Sequence, residues 1–193
     1  MTSPTDTTLL LGRRINLPEI KSIVNWALND TVNIEALFDL AKSHDERTSA
    51  NALWCLTHLQ KFDGAWLQNK HDELIDMLLA ENHIGRRRML LQILRHQTYD
   101  KTNFRTDFLD YCLSKINAEC EPYAIRCFCI YCAFNICRLY PDLLSELECH
   151  LEMLSFQSLS PGLASALKTT LKKIAGEKLL IKREITYFQT SII

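Results

Sequence analysis

The chain has 193 residues, 47% hydrophobic and 23% charged, which is enough material for a continuous core in an ordinary globular protein. A formal net charge of −1 excludes any global attraction to nucleic acid or anionic lipid. Gly and Pro, the residues that interrupt helices, number only 5 each, and stretches 19–63 and 86–121 contain neither, which points to an all-α protein.

Taken in chain order, residues 1–17 read as an N-terminal tail. Its Leu9-Leu10-Leu11 run is far short of a signal-peptide core or a membrane span. Apolar periodicity then predicts helices over 18–29, 32–43, 45–61, 66–82, 84–98, 103–117, 121–139, 141–156 and 160–175. Asp45 is placed to cap the third of these. Ser160 followed by Pro161 starts the last, and Gly176 is placed to stop it. Residues 176–193 are left as a C-terminal cap or tail ending in the apolar YFQTSII.

Every second helix resembles the others when shifted. Leu53 and Leu56 recur as Leu91 and Leu94, then as Ala133 and Ile136, then as Leu171 and Ile174, at offsets of 38, 42 and 38. Within ALFDLAKSHDERTSANALWCLTHL an apolar helix is followed by a polar turn with Asp45, then Arg47, the small Ala50, and Leu53 and Leu56. This pattern resembles HEAT or armadillo-type repeats over roughly residues 32–175. The resemblance implies a right-handed α-α superhelix, a solenoid of about four helix pairs, with the repeat domain over 18–175 and caps at both ends. It also implies that helices 45–61, 84–98, 121–139 and 160–175 are inner and line a concave face. Helix 18–29 is then an N-terminal cap.

On the inner helices, the face opposite the leucine stripe is polar, basic and aromatic when projected at about 100° per residue. It holds Arg47, Asn51, Trp54, His58 and Lys61, then Arg88, Met89, Gln92, Arg95 and His96. Cys127, Tyr131, Phe134 and Arg138 follow, and then Ser165, Lys168, Thr169 and Lys172. Trp54 and Phe134 fall in register. Cations collect on the inner helices, whereas the outer ones are acidic, as in Asp142, Glu146, Glu148 and Glu152. The competing reading is that these charges simply pair across neighbouring helices, where each exposed pair contributes only about 0.2–1 kcal/mol.

Signals for chemistry are weak. Cys129 and Cys132 form a C-x-x-C on a helix apolar nearly all round, with no second pair to complete a tetrahedral zinc site, so they read as structural thiols. Glu146 and His150 share one helix face, with Cys149 beside them, but lack a partner pair. Arg86-Arg87-Arg88 opens an inner helix, where cations beside free N–H groups would favour an anion. No phosphate-binding glycine loop or nucleophile elbow is present, and no Ser-Ser-x-Met-Pro loop suggests a resemblance to fumarase-type lyases. HEAT-like alkylpurine DNA glycosylases resemble the chain in architecture, yet no Asp on an inner helix matches a catalytic role, since Asp45 is a turn residue and Asp63 lies past its helix.

The expectation is a cytoplasmic, non-catalytic scaffold or adaptor without cofactor or metal, with all eight cysteines reduced. It binds an acidic protein or peptide segment through Arg47, Trp54, His58, Arg88, Arg95, Tyr131, Phe134, Arg138, Lys168 and Lys172, and it does not engage a membrane. The alternatives are a nucleic-acid ligand on the same face, and a structural subunit joined edge to edge through YFQTSII.

Overall fold

Side chains that bond back to the backbone decide where each helix starts. In the computed structural model, residues 4–102 and 104–190 are described, with side chains over 7–102 and 104–183. Among the described residues there are eleven helices and no strand. Helix α1 spans Pro4–Leu11. In α2 (Leu17–Leu28) Asn16 Oδ1 accepts from the Glu19 N–H at 3.0 Å while Glu19 accepts from the Asn16 N–H at 2.8 Å, a reciprocal cap. Asp30 caps α3 (Thr31–Ala41) through the Val32 N–H. Asp45 caps α4 (Glu46–Leu59), accepting from the Thr48 N–H at 2.7 Å as the sequence predicts. Then come α5 (Gly64–Gln68), α6 (His71–Ala80) and α7 (Ile84–Leu94), the last capped by His83. Helices α8 (Thr106–Ile116), α9 (Tyr123–Cys137), α10 (Pro141–Ser155) and α11 (Pro161–Thr190) complete the chain.

The helices fall into two compact units, the first ending at Gln97 and the second beginning at Thr98. In the first, α2, α4 and α7 pack side by side as one row, with α3 against α2 and α4, and α6 against α7. In the second, α9 packs against α8, α10 and α11, and α10 also packs against α11. The leucine stripe is the core. Leu53, Leu56, Leu91 and Leu94 are buried, as are Ala133, Ile136 and Ile174. Leu171 is only half-buried, because α11 has α9 and α10 as neighbours and no later helix pair follows it among the described residues. The Ser49 hydroxyl donates to the Ala41 carbonyl at 2.7 Å and closes the α3–α4 hairpin.

Three local expectations are corrected. Residues 1–17 are not simply a tail: α1 packs on α4 and α3, with Leu11 fully buried, and the Asn51 side-chain amide donates to the Leu11 and Arg13 carbonyls at 2.7 and 2.8 Å. The span 66–82 is two helices. Asp63 caps the first through the Trp66 N–H, and a turn at Asn69 and Lys70 lets Trp66 meet Phe38 edge-on at 5.6 Å. Gly176 does not end the last helix, which continues to Thr190. A lone glycine costs a helix about 1 kcal/mol relative to alanine, and Glu177, Lys178, Leu179 and Leu180 behind it are good helix formers. Lys178 also bonds Glu148 on α10. YFQTSII lies outside the described side chains.

Candidate interaction surface

On α4 the capped start fixes the helix phase, so Leu53, Leu56 and Leu59 enter the core and Trp54 and His58 come out on the other side. Both are half-buried, with ring centroids 6.4 Å apart. Burial, reinforced by Lys61 and by Lys21 on α2, holds the His58 imidazole below its ordinary range. His96 is likewise depressed, by burial and then by Arg95, whose Nε donates to His96 Nε2 at 3.1 Å. Lys21, His58 and His96 sit 37 and 38 residues apart, one repeat each, with Lys21 on α2, His58 on α4 and His96 just past the end of α7, three helices that pack side by side.

The ten candidate residues divide between the units. Arg47, Trp54, His58, Arg88 and Arg95 belong to the first, and Tyr131, Phe134, Arg138, Lys168 and Lys172 to the second. Arg47 is exposed and lines a shallow cleft with Gly12, Asn51 and His83. Arg88 is exposed and Arg95 half-buried on α7, which packs against α4. In the second unit Tyr131 is half-buried, and Arg138, Lys168 and Lys172 are exposed on α9 and α11. Phe134 is corrected: at 6% exposure it belongs to the α9–α11 packing, with Lys173 Nζ 5.5 Å from its ring centre, and it cannot be an open aromatic anchor. Met89 is buried too, and Asn51 is occupied by the end of α1.

Charge pairing discriminates between the two faces. On the outer helices, Lys42 pairs with Asp39 and Glu73, and Lys70 with Glu35 and Glu73. Among the described residues, Lys21, Lys61, Arg88, Arg138, Lys168 and Lys172 have no ion pair. Of the arginine triplet, Arg86 is taken by Glu81 at 2.7 Å, and only Arg88 is exposed. Arg126, a basic residue of an inner helix, is 2% exposed. Its Nε donates to the Ile116 carbonyl at 2.9 Å and its other end to Gln157, so it adds nothing to the surface. Two cations that the sequence reading left out of the candidate set, Lys21 and Lys61, are the ones that bear on His58. Lys21 was legible as a further repeat of the period, one step before His58.

Among the described residues no group of three or more His, Cys, Asp or Glu side chains is placed to hold a metal ion. Cys129 and Cys132 are buried, and burial, with these two thiols as neighbours, pushes the Cys112 thiol of α8 well above its usual range. His150 is held by Asn117, which donates to its carbonyl at 3.1 Å and whose amide lies 3.4 Å from its ring.

The family model described as HEAT repeat domain matches residues 8–174. The chain belongs to the HEAT repeat family. Neither the comparison with curated proteins nor that with solved structures gives a match. As a HEAT-repeat chain it is a helical-repeat scaffold of a kind that commonly mediates protein interactions. Among the described residues no helix is long and apolar enough to cross a membrane.

Proposed function

We propose that this HEAT-repeat chain is a non-catalytic adaptor that binds an acidic protein or peptide segment along its inner helix rows. The observation that carries the proposal is the contrast in pairing: the outer-face Lys42 and Lys70 have carboxylate partners, whereas Lys21, Lys61, Arg88, Arg138, Lys168 and Lys172 of the inner rows have none among the described residues. Like charges aligned on one face repel one another, and an acidic ligand relieves that repulsion while speeding encounter. In the first unit Trp54 supplies apolar area beside Lys21, Lys61, Arg88 and Arg95; in the second, Tyr131 does so beside Arg138, Lys168 and Lys172. Rigid aromatic groups anchor, and flexible lysines steer. A reducing, cytoplasmic setting is part of the same reading.

The test is fluorescence anisotropy with a rhodamine-labelled Asp-rich peptide of about a dozen residues. Replacing Arg88, Arg95 and Lys172 together by glutamate should weaken binding at least about tenfold while the helical circular dichroism is retained. Trp54→Ala should hurt more than any single lysine change. Unchanged binding by the triple variant overturns the proposal. A single-stranded oligonucleotide that outcompetes the peptide, with a log–log salt slope near the number of phosphates contacted, identifies nucleic acid as the ligand instead.

A further inference from the structure

Partial burial and positive neighbours meet at one imidazole in the first unit. Lys21 comes from α2, Trp54 and His58 from α4, and Lys61 from the residues just past α4. The His58 ring lies 6.4 Å from the Trp54 indole between centroids, with the two planes tilted by 56°. Both lysines are exposed, and neither has an ion pair among the described residues.

The carboxylates of the surrounding elements are engaged elsewhere. On α2, Glu19 pairs with Arg13 at 2.5 Å and caps its own helix. On α3, Glu35 and Asp39 pair with Lys70 and Lys42. Asp63, two residues past Lys61, accepts from the Trp66 N–H at 3.1 Å. From α7 the nearby groups are Arg95, His96 and Gln97, the last donating to Gln60 at 3.4 Å. The described side chains of α1, over residues 7–11, carry no charge. Among the described residues the charged groups that bear on the imidazole are Lys61 and Lys21, so an incoming carboxylate adds an anion to a cationic setting.

We propose that Lys21, Trp54, His58 and Lys61 form an anion site for the acidic segment, and that seating a carboxylate there brings a proton from solvent onto His58. The inference rests on the scaffold reading above and adds its regulation. In the free protein, burial, Lys61 and Lys21 disfavour the imidazolium. A bound carboxylate reverses the local field, so the imidazole holds its proton to higher pH in the complex than in the free chain. The sign follows from linkage: affinity rises as pH falls through the bound-state value and levels off below the free-state value. The site thus binds acidic segments more tightly in mildly acidic conditions, a graded pH response built on one residue.

The test titrates the full chain with the same rhodamine-labelled Asp-rich peptide at pH 7.5, 6.5 and 5.5 and constant ionic strength. Aspartate titrates near 3.9, so the probe stays ionised throughout. Wild type should gain about three- to tenfold in affinity across that range, since one proton gives at most about tenfold per pH unit. His58→Gln should lose most of the gain, its affinity staying nearly flat between pH 7.5 and 5.5 whatever its level. Lys21→Gln with Lys61→Gln should weaken binding at every pH. In NMR titrations of the wild type, the His58 ring signal should move its midpoint upward when peptide is present. Binding with the same pH gain in His58→Gln as in wild type overturns this inference and leaves the adaptor reading standing. Absence of peptide binding at any pH overturns both.

Discussion

Among the described residues Arg126 is a buried cation without a carboxylate partner, and replacing it measures what holds the second unit together. Its guanidinium bonds the Ile116 carbonyl at the C-terminus of α8, at 2.9 Å, and the Gln157 side chain just past α10. Gln157 in turn donates to the Asn117 carbonyl at 3.1 Å, and Asn117 to the His150 carbonyl at 3.1 Å. The charge therefore sits at two helix C-termini, whose unsatisfied carbonyls favour a cation. Arg126→Met keeps the volume and leaves two buried acceptors without that donor, at about 1–3 kcal/mol each. Relief from burying a charge offsets part of this, so a net loss of about 2–4 kcal/mol is expected. Against a typical total of about 5–15 kcal/mol, such a loss is large. Gln157→Met should destabilise as well, and the double variant should fall short of the sum by about 1–2 kcal/mol, because both side chains share one network. The assay is urea unfolding followed by far-ultraviolet circular dichroism across the cycle. An Arg126→Met protein as stable as wild type, or strict additivity, would refute the reasoning.

Leu56→Ala and Ile136→Ala each empty a buried site and should cost about 2–5 kcal/mol in the same assay; near-neutral effects at both would show the repeat register to be wrong. In a native thiol titration, exposed Cys120 and Cys149 should react first, whereas Cys55 and Cys137, pushed up by burial to about 12, should react only on unfolding. The purified chain should carry no stoichiometric zinc, and chelator should leave its melting unchanged; metal retained through dialysis would overturn the structural reading of the thiols. Stability should decline as pH falls below about 4.5, because bonds from Thr48 lower Asp45. Glu81 acts in the same direction, since the His83 N–H and Arg86 outweigh the upward push of its burial. Groups lowered on folding stabilise above their unfolded values and lose that contribution through their folded ones, so Asp45→Asn should flatten the acid slope.

Much of the fold was legible because helix starts are written in short side chains. Asp45 and Ser160 cap where the sequence places them, and the stripe from Leu53 to Ile174 marks the core. The failures have physical causes. A projection of one helix treats every polar side chain as solvent-facing, yet Arg126 turns inward because two other helices end beside it. Phe134 shares the register of Trp54, but α11 lies against it and Lys173 covers its ring. Gly176 carried no stop signal once its neighbours favoured helix on both sides. Lys21 falls outside the candidate set because the sequence pattern makes α2 a cap, whereas α2 packs in the same row as α4. In each case the deciding neighbour comes from another part of the chain.

The most direct test is a backbone and indole chemical-shift map of the full chain titrated with the unlabelled Asp-rich peptide. The adaptor account predicts saturable shifts at Lys21, the Trp54 indole, His58, Lys61 and Arg88, with the outer helices α3 and α6 unmoved. Shifts confined to the outer helices or to the second half of α11, or none at all, would contradict it.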